Sequence, residues 1–475
     1  MADNKKVGLI GLVAIVFTSM VGSSIYNLPQ NMAASAGVAA IAIAWIISGF
    51  GMYFLASTFK TLSDSRSDIT SGIYAYAKEG FGRYVGFNSA WGYWISGALG
   101  NVAFAILLND AVGYFYPPLL EHGLEMIIFC TSVIWLMTFA VFRGVSFATK
   151  ISAYSIFIVL TAILIIVGVL VYHFDWNLFT KNIWGTGYGI GGMPDQIKST
   201  MLVTLWSFIG IEGAVVIAGR AKNSKDVGSA TIIGLIIALV IYASVSLLSL
   251  GIMAQPELGK LATPSSAYLL QSVSGDWANE FVNIAVIISL LASWLAWTVL
   301  VAEVPYDAAK DGVLPKIFAR DNKFKSPVAS LIITAILMTI MIFIVILAND
   351  IYIACITIAG VMILPPYLLS CAYLWEASER NQILKEDHKK RYKAMTIGIL
   401  GTLYCAWLLY SAGYNYLLMS TLFYAVGIPF YIKAHHESFK EGVAVFNKYE
   451  RILAILFVIA AAASIFLMLE GNLKP

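Results

Sequence analysis

A carboxylate lies in the middle of a long apolar stretch, where a charged group is unfavourable and its presence needs an explanation. Glu212 lies between Gly210 and Gly213 and follows Trp206 in the run TLWSFIGIEGAVV at 204–216. Placing a carboxylate at the centre of a membrane helix costs about 2.5–3.5 kcal/mol on insertion scales, so such a group faces a protein interior or a cavity. The pattern predicts a role on a transport path. The alternative is a structural carboxylate that is hydrogen-bonded between helices.

The composition indicates the class of protein that must position this carboxylate. Of 475 residues, 59% are hydrophobic and 12% are charged, whereas a soluble domain carries about 25% charged residues. Lipid accepts only α-helices and closed barrels as spanning structures, and the apolar runs are too long for barrel strands. We therefore predict an all-α integral membrane protein with about 13 transmembrane helices. The apolar runs that are long enough to cross about 30 Å of hydrocarbon lie near 7–36, 38–58, 84–114, 125–142, 149–172, 199–219, 228–253, 275–304, 328–348, 350–375, 394–411, 414–432 and 450–469.

The basic residues predict how these helices are oriented, because short cytoplasmic loops collect Lys and Arg. With the N-terminus placed inside, the cytoplasmic segments hold 26 of the 30 basic residues. The first apolar run is needed for this alternation, so it is predicted to be a retained span and not a signal peptide. We expect a multi-pass protein of the cell (plasma) membrane with a cytoplasmic N-terminus and an extracytoplasmic C-terminus. The remaining basic residues are Lys181, Lys198, Lys260 and Lys474.

Two of the predicted spans carry signals of interruption. In the first span, Gly22 and two serines are followed by Pro29; in the sixth, Gly210 and Gly213 flank the carboxylate. Glycine and serine weaken a helix locally, although glycines in membrane helices also serve close packing. Broken helices five spans apart are typical of an inverted repeat with a binding site at the membrane midplane.

Such breaks favour a zwitterionic ligand. An unwound turn exposes backbone N–H groups at the start of the next half-helix, where the helix dipole favours an anion such as an α-carboxylate. Its freed carbonyl groups can accept hydrogen bonds from an ammonium group. The side chain of an amino acid would then meet a third surface, for which the aromatic candidates are Trp206, Trp297 and Tyr93.

At this point several motifs carry a resemblance to a known family. The motifs are GSSIYNLPQNMA (22–33), GIYAYAKEGFGRYVGFNSAWGYW (72–94), TLWSFIGIEGAVV (204–216), SWLAWTVLVAEVP (293–305) and LPKIFARDN (314–322). The chain resembles the amino acid-polyamine-organocation (APC) superfamily, and within it the basic amino acid/polyamine antiporters of the arginine:ornithine branch. The resemblance implies a core of ten helices in two inverted five-helix repeats, expected at 1–376, and three additional helices at 377–475. It also implies exchange by alternating access without a cofactor.

The resemblance further implies roles for individual residues. The turn Gly22-Ser23-Ser24, with Ser19 one turn before it, matches the site of the substrate carboxylate. Carbonyl groups near Trp206, Ser207 and Ile209 match those that receive the α-amine, and Trp206 also matches an outer lid. Trp297 matches the ring over a cationic side chain, which can gain about 2 kcal/mol when desolvated. The wall of the pocket is expected at Ser96, Gly97 and Asn101, and the inner gate at Tyr93, Glu212 and Tyr367.

Two departures from the family pattern concern the substrate. Ser24 replaces the second glycine of the first-helix turn, and Ala359 stands where arginine-handling relatives carry a serine. Arginine therefore loses one expected contact. Arginine with ornithine is the single favoured pair, and tyrosine with tyramine, histidine with histamine, lysine with cadaverine and agmatine with putrescine stay open.

Other classes of function are weighed against an antiporter. A proton- or sodium-coupled amino acid symporter on the same scaffold is the alternative, with Ser293 as a candidate oxygen ligand for sodium. An enzyme is not expected, because the chain contains neither H-E-x-x-H nor G-x-S-x-G. We predict no catalytic residue, no metal site and no cofactor. The expected partners are small amino acid and amine substrates and the lipid bilayer, with no nucleic acid, and a homodimer is kept open.

Overall fold

The chain folds almost entirely into helices. The computed structural model describes residues 6–22, 24–69, 72–121, 123–345, 351–439 and 442–473. Within these ranges the backbone forms nineteen α-helices and three short 3-10 helices and contains no β-strand, so the all-α prediction is confirmed. The α-helices are α1 Leu9–Met20, α2 Ser24–Ala33, α3 Val38–Ser65, α4 Ile73–Phe81, α5 Arg83–Gly113, α6 Leu124–Val141, α7 Val145–Tyr172, α8 Trp176–Thr180, α9 Met193–Phe208, α10 Gly213–Val216, α11 Ser224–Ser249, α12 Gln255–Leu258, α13 Ser265–Ser274, α14 Asp276–Lys310, α15 Val328–Val345, α16 Ile351–Glu379, α17 His388–Ala412, α18 Tyr414–Ser438 and α19 Lys448–Leu469.

The membrane-spanning helices agree with the apolar runs of the sequence. Among the described residues, eleven helices are long and apolar enough to cross a membrane, with α1 and α2 counted together as Leu9–Ala33. Each corresponds to one of the thirteen predicted spans. The ninth predicted span corresponds to α15, whose apolar part Val328–Ile344 is shorter. The sixth corresponds to α9 and α10. Each of these helices is too short to cross a membrane alone, because that span is interrupted.

The first span is broken where the sequence places glycine and serine. Helix α1 ends at Met20, and the Val21 N–H still donates to the Phe17 carbonyl at 2.9 Å. Helix α2 then begins at Ser24. A Cβ on Gly22 would lie 2.0 Å from the Cβ of Ser293. The break therefore packs directly against α14, and only glycine fits there.

The sixth span is broken at Gly210. Helix α9 ends at Phe208, and Ile209 adopts an extended conformation with ψ of 129°. Gly210 has φ of +108°, a backbone region that favours glycine. Helix α10 resumes at Gly213. The predicted break is confirmed, and the two breaks lie in the first and sixth spans, as an inverted five-helix repeat requires.

Helix α14 packs on α1 and α10 of the broken spans and on α5. Helix α5 also packs against α16, and α1 packs against α7, α11 and α14. Nearly every residue of α5 is buried, including its four tryptophan and tyrosine side chains at positions 84, 91, 93 and 94. Because α5 and α14 are enclosed by other helices, their polar side chains face protein and not lipid. Helix α17 packs against α16, α3 and α9, and α18 packs against α16 and α5.

The start of the first span and the end of the sixth lie on the same side of the molecule. The Val7 N–H donates to the Arg220 carbonyl at 2.9 Å, and the Lys222 N–H donates to the Val7 carbonyl at 2.8 Å. These bonds form an isolated parallel bridge between Val7 and Ala221. A chain that crosses a membrane six times returns to its starting side, so this bridge agrees with the alternating topology.

Candidate functional site

A cavity lies between the two helix breaks and is walled by α5 and α14. Its open space measures about 20 Å³, which is room for about one water molecule, so the cavity is nearly closed in this conformation. Six of the eleven predicted substrate-binding residues line it, namely Ser19, Ser96, Gly97, Trp206, Ile209 and Trp297. The sequence reasoning missed three further lining residues, which are Met20, Gly100 and Phe104.

Ser19 connects the first span to both other sides of the cavity. Its hydroxyl donates to the Gly210 carbonyl at 2.9 Å and is 3.0 Å from the carbonyl of Val16, so the single proton is shared. The Ser19 carbonyl accepts from Trp297 Nε1 at 2.9 Å. A Cβ on Gly210 would lie 2.8 Å from the Cβ of Ser19. Ser19 therefore holds the two breaks and the Trp297 indole in fixed positions.

Glycines on α5 make room for the aromatic walls. A Cβ on Gly97 would lie 2.3 Å from Val301 on α14, so a larger residue would push the two helices apart. A Cβ on Gly100 would lie 3.6 Å from the Trp206 ring. Phe104, one turn further, contacts Trp206 edge to face with ring centroids 6.5 Å apart. Positions 97, 100 and 104 recur at helical spacing, and this periodicity is the signal that could have identified Gly100 and Phe104.

Two predicted residues of the first break do not line the cavity. Gly22 packs on Ser293 of α14, as described above. The Ser24 hydroxyl is buried and donates to Tyr242 Oη at 3.4 Å, so it points toward α11. Ser23 falls outside the described residues. The Ser24 side chain is therefore directed away from the cavity.

Asn101 and Ser207 are buried beside the cavity without lining it. The Ser207 hydroxyl donates to the Val203 carbonyl at 2.9 Å within α9. Asn101 is fully buried, and neither atom of its amide has a hydrogen-bond partner among the described residues. It lies on the same face of α5 as Gly97 and Phe104, which line the cavity. A buried amide without partners carries a free-energy penalty that a polar ligand or water can relieve.

The three residues predicted to form the inner gate meet at Glu212. Tyr93 Oη donates to Oε1 at 3.0 Å, the Gly210 N–H donates to Oε2 at 3.1 Å, and Tyr367 Oη donates to the same Oε2. Glu212 is fully buried. The Tyr93 ring also stacks on Trp297 with centroids 6.2 Å apart. This carboxylate therefore joins the sixth span to α5 and α16 at the edge of the cavity.

An ion pair braces the chain beyond the gate. Arg220, in the short 3-10 helix Ala218–Arg220, donates to Glu303 of α14 at 2.6 and 3.0 Å. It also donates to the Lys325 carbonyl at 2.9 Å. Burial alone would lower the pKa of the Arg220 guanidinium, but the Glu303 carboxylate outweighs burial and the pKa is raised. The end of the sixth span is thus tied to α14 on the side where Val7 also pairs.

The lining of the cavity suits an organic ligand with a polar end. None of its nine lining residues carries a charge, and two of them are tryptophans whose rings can contact a cation or an apolar chain. The described residues contain no cluster of His, Cys, Asp or Glu that could hold a metal ion. Cys130, Cys371 and Cys405 are buried and unpaired. The hydroxyl groups of Ser19 and Ser96 and the two indoles are the groups that a small molecule would meet there.

An all-helical membrane protein with two interrupted spans around a central cavity has the architecture of a transporter. A model of the amino acid permease family matches residues 7–413. A Clostridium perfringens protein that is provisionally named an amino-acid transporter is 44% identical over 97% of this chain and 98% of its own length. Arginine/agmatine antiporters are 40% identical in Chlamydia pneumoniae, over 99% of both chains, and 42% identical in Chlamydia abortus, over 99% of this chain and 98% of theirs. The chain belongs to the amino acid permease family of the APC superfamily.

Proposed function

We propose that this protein is an amino acid antiporter of the cell membrane that exchanges an amino acid for its metabolic product or its decarboxylated amine by alternating access. The observation that carries the proposal is the cavity between the two breaks, which has an indole on α9, another on α14 and the Glu212 cluster at its edge. The ten spans up to α16 would form the transport core, and α17 to α19 would be additions to it.

The breaks suit the two ends of an amino acid. The N–H groups in the first turn of α2 have no partner within the helix, so they can receive the substrate carboxylate. The carbonyl groups of Ser207 and Ile209 lie at the end of α9 and can accept from the α-amine. Trp297 would then face the distal cation, and the Asn101 amide would gain a polar partner. In this assignment Ser19 acts mainly by positioning Gly210 and Trp297.

We extend the Chlamydia names to this chain and propose arginine and agmatine as its substrates. Two features bear on the choice. The indole of Trp297 and the unpartnered amide of Asn101 favour a cationic side chain. Ala359 contributes only its backbone carbonyl, which accepts from the Ser96 hydroxyl at 2.7 Å, so one polar contact to a guanidinium is missing. Arginine for ornithine, the pair favoured by the sequence, is the next to be tested.

Glu212 has two candidate roles, which are a gate that depends on its charge and a purely structural link between helices. We propose that the Tyr93–Glu212–Tyr367 cluster closes the cavity toward the cytoplasm and separates when the site opens inward. Breaking hydrogen bonds to a buried carboxylate costs roughly 1.5–3 kcal/mol each, so the charge state of Glu212 would set the height of this barrier. The cytoplasmic side is assigned from the 26 basic residues of the predicted inner segments.

A cation-coupled symporter is the second candidate, and one observation favours it. The Ser293 hydroxyl is fully buried beside the first break and has no hydrogen-bond partner among the described residues. Carbonyl groups released by the break could join it as oxygen ligands for a sodium ion. No carboxylate accompanies it there, so a binding site for a cation would rest on neutral oxygens alone.

Reconstituted liposomes separate the two candidates. We expect uptake of labelled arginine to require internal arginine, agmatine or ornithine and to ignore an imposed sodium or proton gradient. Arginine carries one positive charge and agmatine two, so arginine/agmatine exchange should respond to membrane potential while arginine/ornithine exchange should not. Uptake into empty liposomes that follows an ion gradient would refute exchange and support symport.

A further inference from the structure

An apolar groove runs along the outside of the second span, away from the substrate cavity. It lies between α3 and α11 and has a volume of about 740 Å³. Its walls include Trp45, Ile46, Phe50 and Phe54 from α3 and Leu239 and Ala243 from α11. Ile46 and Phe50 are 58% and 64% exposed. In a membrane these side chains meet lipid chains.

A polar cavity of about 360 Å³ lies at the end of the same helix. It is lined by Ser57, Lys60, Thr61 and Asp64 of α3 and by Lys390 and Lys393 of α17. Three lysines face one aspartate, so the lining carries excess positive charge. Lys60 is 3.4 Å from Asp64, but both side chains are more than a third exposed. Lys390 is likewise 3.0 Å from Asp387, and these side chains are 74% and 41% exposed. Exposed pairs contribute little free energy, so the lysines remain available to an anion.

Tyr53 belongs to the lining of both spaces, which makes them one continuous surface. Its side chain is 44% exposed. Positions 46, 50, 53, 57, 60 and 64 follow each other at helical spacing, so they form a single stripe along α3. At the basic end, a Cβ on Gly228 of α11 would lie 2.6 Å from Lys60 Cγ, so this glycine makes room for the lysine stem.

The dimensions of the stripe fit one leaflet of a bilayer. From Lys60 to Gly49 the helix rises about 17 Å, and half of the hydrocarbon core measures about 15 Å. A lipid whose phosphate meets Lys60 would therefore extend an acyl chain past Tyr53 to the level of Gly49. The proposed topology places Lys60, Lys390 and Lys393 on the cytoplasmic side, where anionic lipids are enriched.

We propose that this surface binds one anionic phospholipid of the inner leaflet. The phosphate lies among Lys60, Lys390 and Lys393, and an acyl chain occupies the groove between α3 and α11. The charge of the pocket selects this occupant over a second copy of the chain, because a twofold contact centred here would bring the same lysines together. The lipid would bridge α17 to α3 and α11, and its binding does not depend on which amino acid the protein carries.

Native mass spectrometry of the purified full-length protein tests the proposal, with phosphatidylglycerol and phosphatidylcholine of identical acyl chains as probes. The wild type should retain phosphatidylglycerol in preference to phosphatidylcholine. Each lysine near the surface contributes about fivefold, so the triple variant Lys60→Gln/Lys390→Gln/Lys393→Gln should bind phosphatidylglycerol on the order of 100-fold more weakly. The matched control Lys222→Gln/Lys225→Gln/Lys323→Gln removes the same charge from exposed lysines elsewhere and should bind as the wild type does.

A second variant tests the acyl chain. Ala243→Trp fills the groove without changing any charge and should also weaken phosphatidylglycerol binding, and Ala243→Leu serves if the larger residue prevents folding. Equal retention by the triple variant and the wild type would overturn the proposal. An equal loss in the control variant would show that net charge alone explains the effect, and it would also overturn the proposal. If filling the groove changed nothing while the lysine variant lost binding, the site would be an anion site without an acyl chain, and the lipid proposal would be wrong.

Discussion

The role of Trp297 can be tested by separating its two interactions. Its indole lines the cavity, and its Nε1 donates to the Ser19 carbonyl at 2.9 Å. Trp297→Leu removes both the ring and the hydrogen bond. Trp297→Phe removes only the hydrogen bond and keeps a ring face, although phenylalanine attracts a cation more weakly than tryptophan does. Comparing the two variants therefore isolates the contribution of the ring.

The magnitudes follow from the two contacts. A desolvated cation over a tryptophan gains about 2 kcal/mol, which is about 30-fold in affinity, and the hydrogen bond contributes about 1 kcal/mol, or about fivefold. Trp297→Leu should weaken a cationic ligand by roughly 150-fold. The same variant should weaken a neutral ligand of equal length by only about fivefold. Trp297→Phe should weaken the neutral ligand by a similar factor and the cation by somewhat more.

Equilibrium binding of arginine and citrulline to the purified protein provides the assay, because citrulline has the length of arginine without its charge. If the exchange experiments identify another cationic substrate, that substrate and a neutral analogue replace them. Unliganded thermal stability of each variant is the control for misfolding. Equal losses for the charged and the neutral ligand in Trp297→Leu would refute the contact between the ring and the cation.

Three further changes have distinct expected outcomes. Glu212→Gln should slow exchange while leaving the amount of protein in the membrane unchanged, and normal turnover at every pH would remove the charge from the mechanism. Gly22→Ala should lower the free energy of unfolding by about 1–3 kcal/mol because its Cβ would overlap that of Ser293. Adding Ser293→Gly should restore it. Arg220→Gln should lower the free energy of unfolding by up to about 3 kcal/mol, because it leaves Glu303 without its partner and the Glu303 side chain is only 4% exposed. Adding Glu303→Gln should recover most of this loss, and a purely additive double variant would contradict the pairing.

The positions of the helix breaks could be read from the chain because they depend on local properties. Apolar runs of sufficient length identify the spans, and Gly22, Gly210 and Gly213 mark where a helix is weakened. Gly210 adopts φ of +108°, a conformation that glycine reaches readily and that other residues rarely adopt. Interruption also explains why the sixth predicted span appears as a helix of 16 residues followed by one of four.

Side-chain directions at the site could not be read in the same way. Ser24 and Ser207 fall in the right segments, but their hydroxyl groups donate to Tyr242 and to the Val203 carbonyl. Their orientation depends on which neighbouring helix offers an acceptor. Phe104 shares a helical face with Gly97 and Gly100, but its contact with the Trp206 ring depends on how α5 and α9 meet.

The sequence by itself determined an all-helical membrane protein, the places where two helices must break, and a carboxylate that cannot face lipid. Only the tertiary structure decided what that carboxylate meets. Tyr93 and Tyr367 lie 119 and 155 residues from Glu212 in the chain, yet both donate to it. Hydropathy and glycine act within a few residues, so they are visible in the sequence. Contacts between distant helices follow from how all of their surfaces pack together, and that packing exists only in the folded protein.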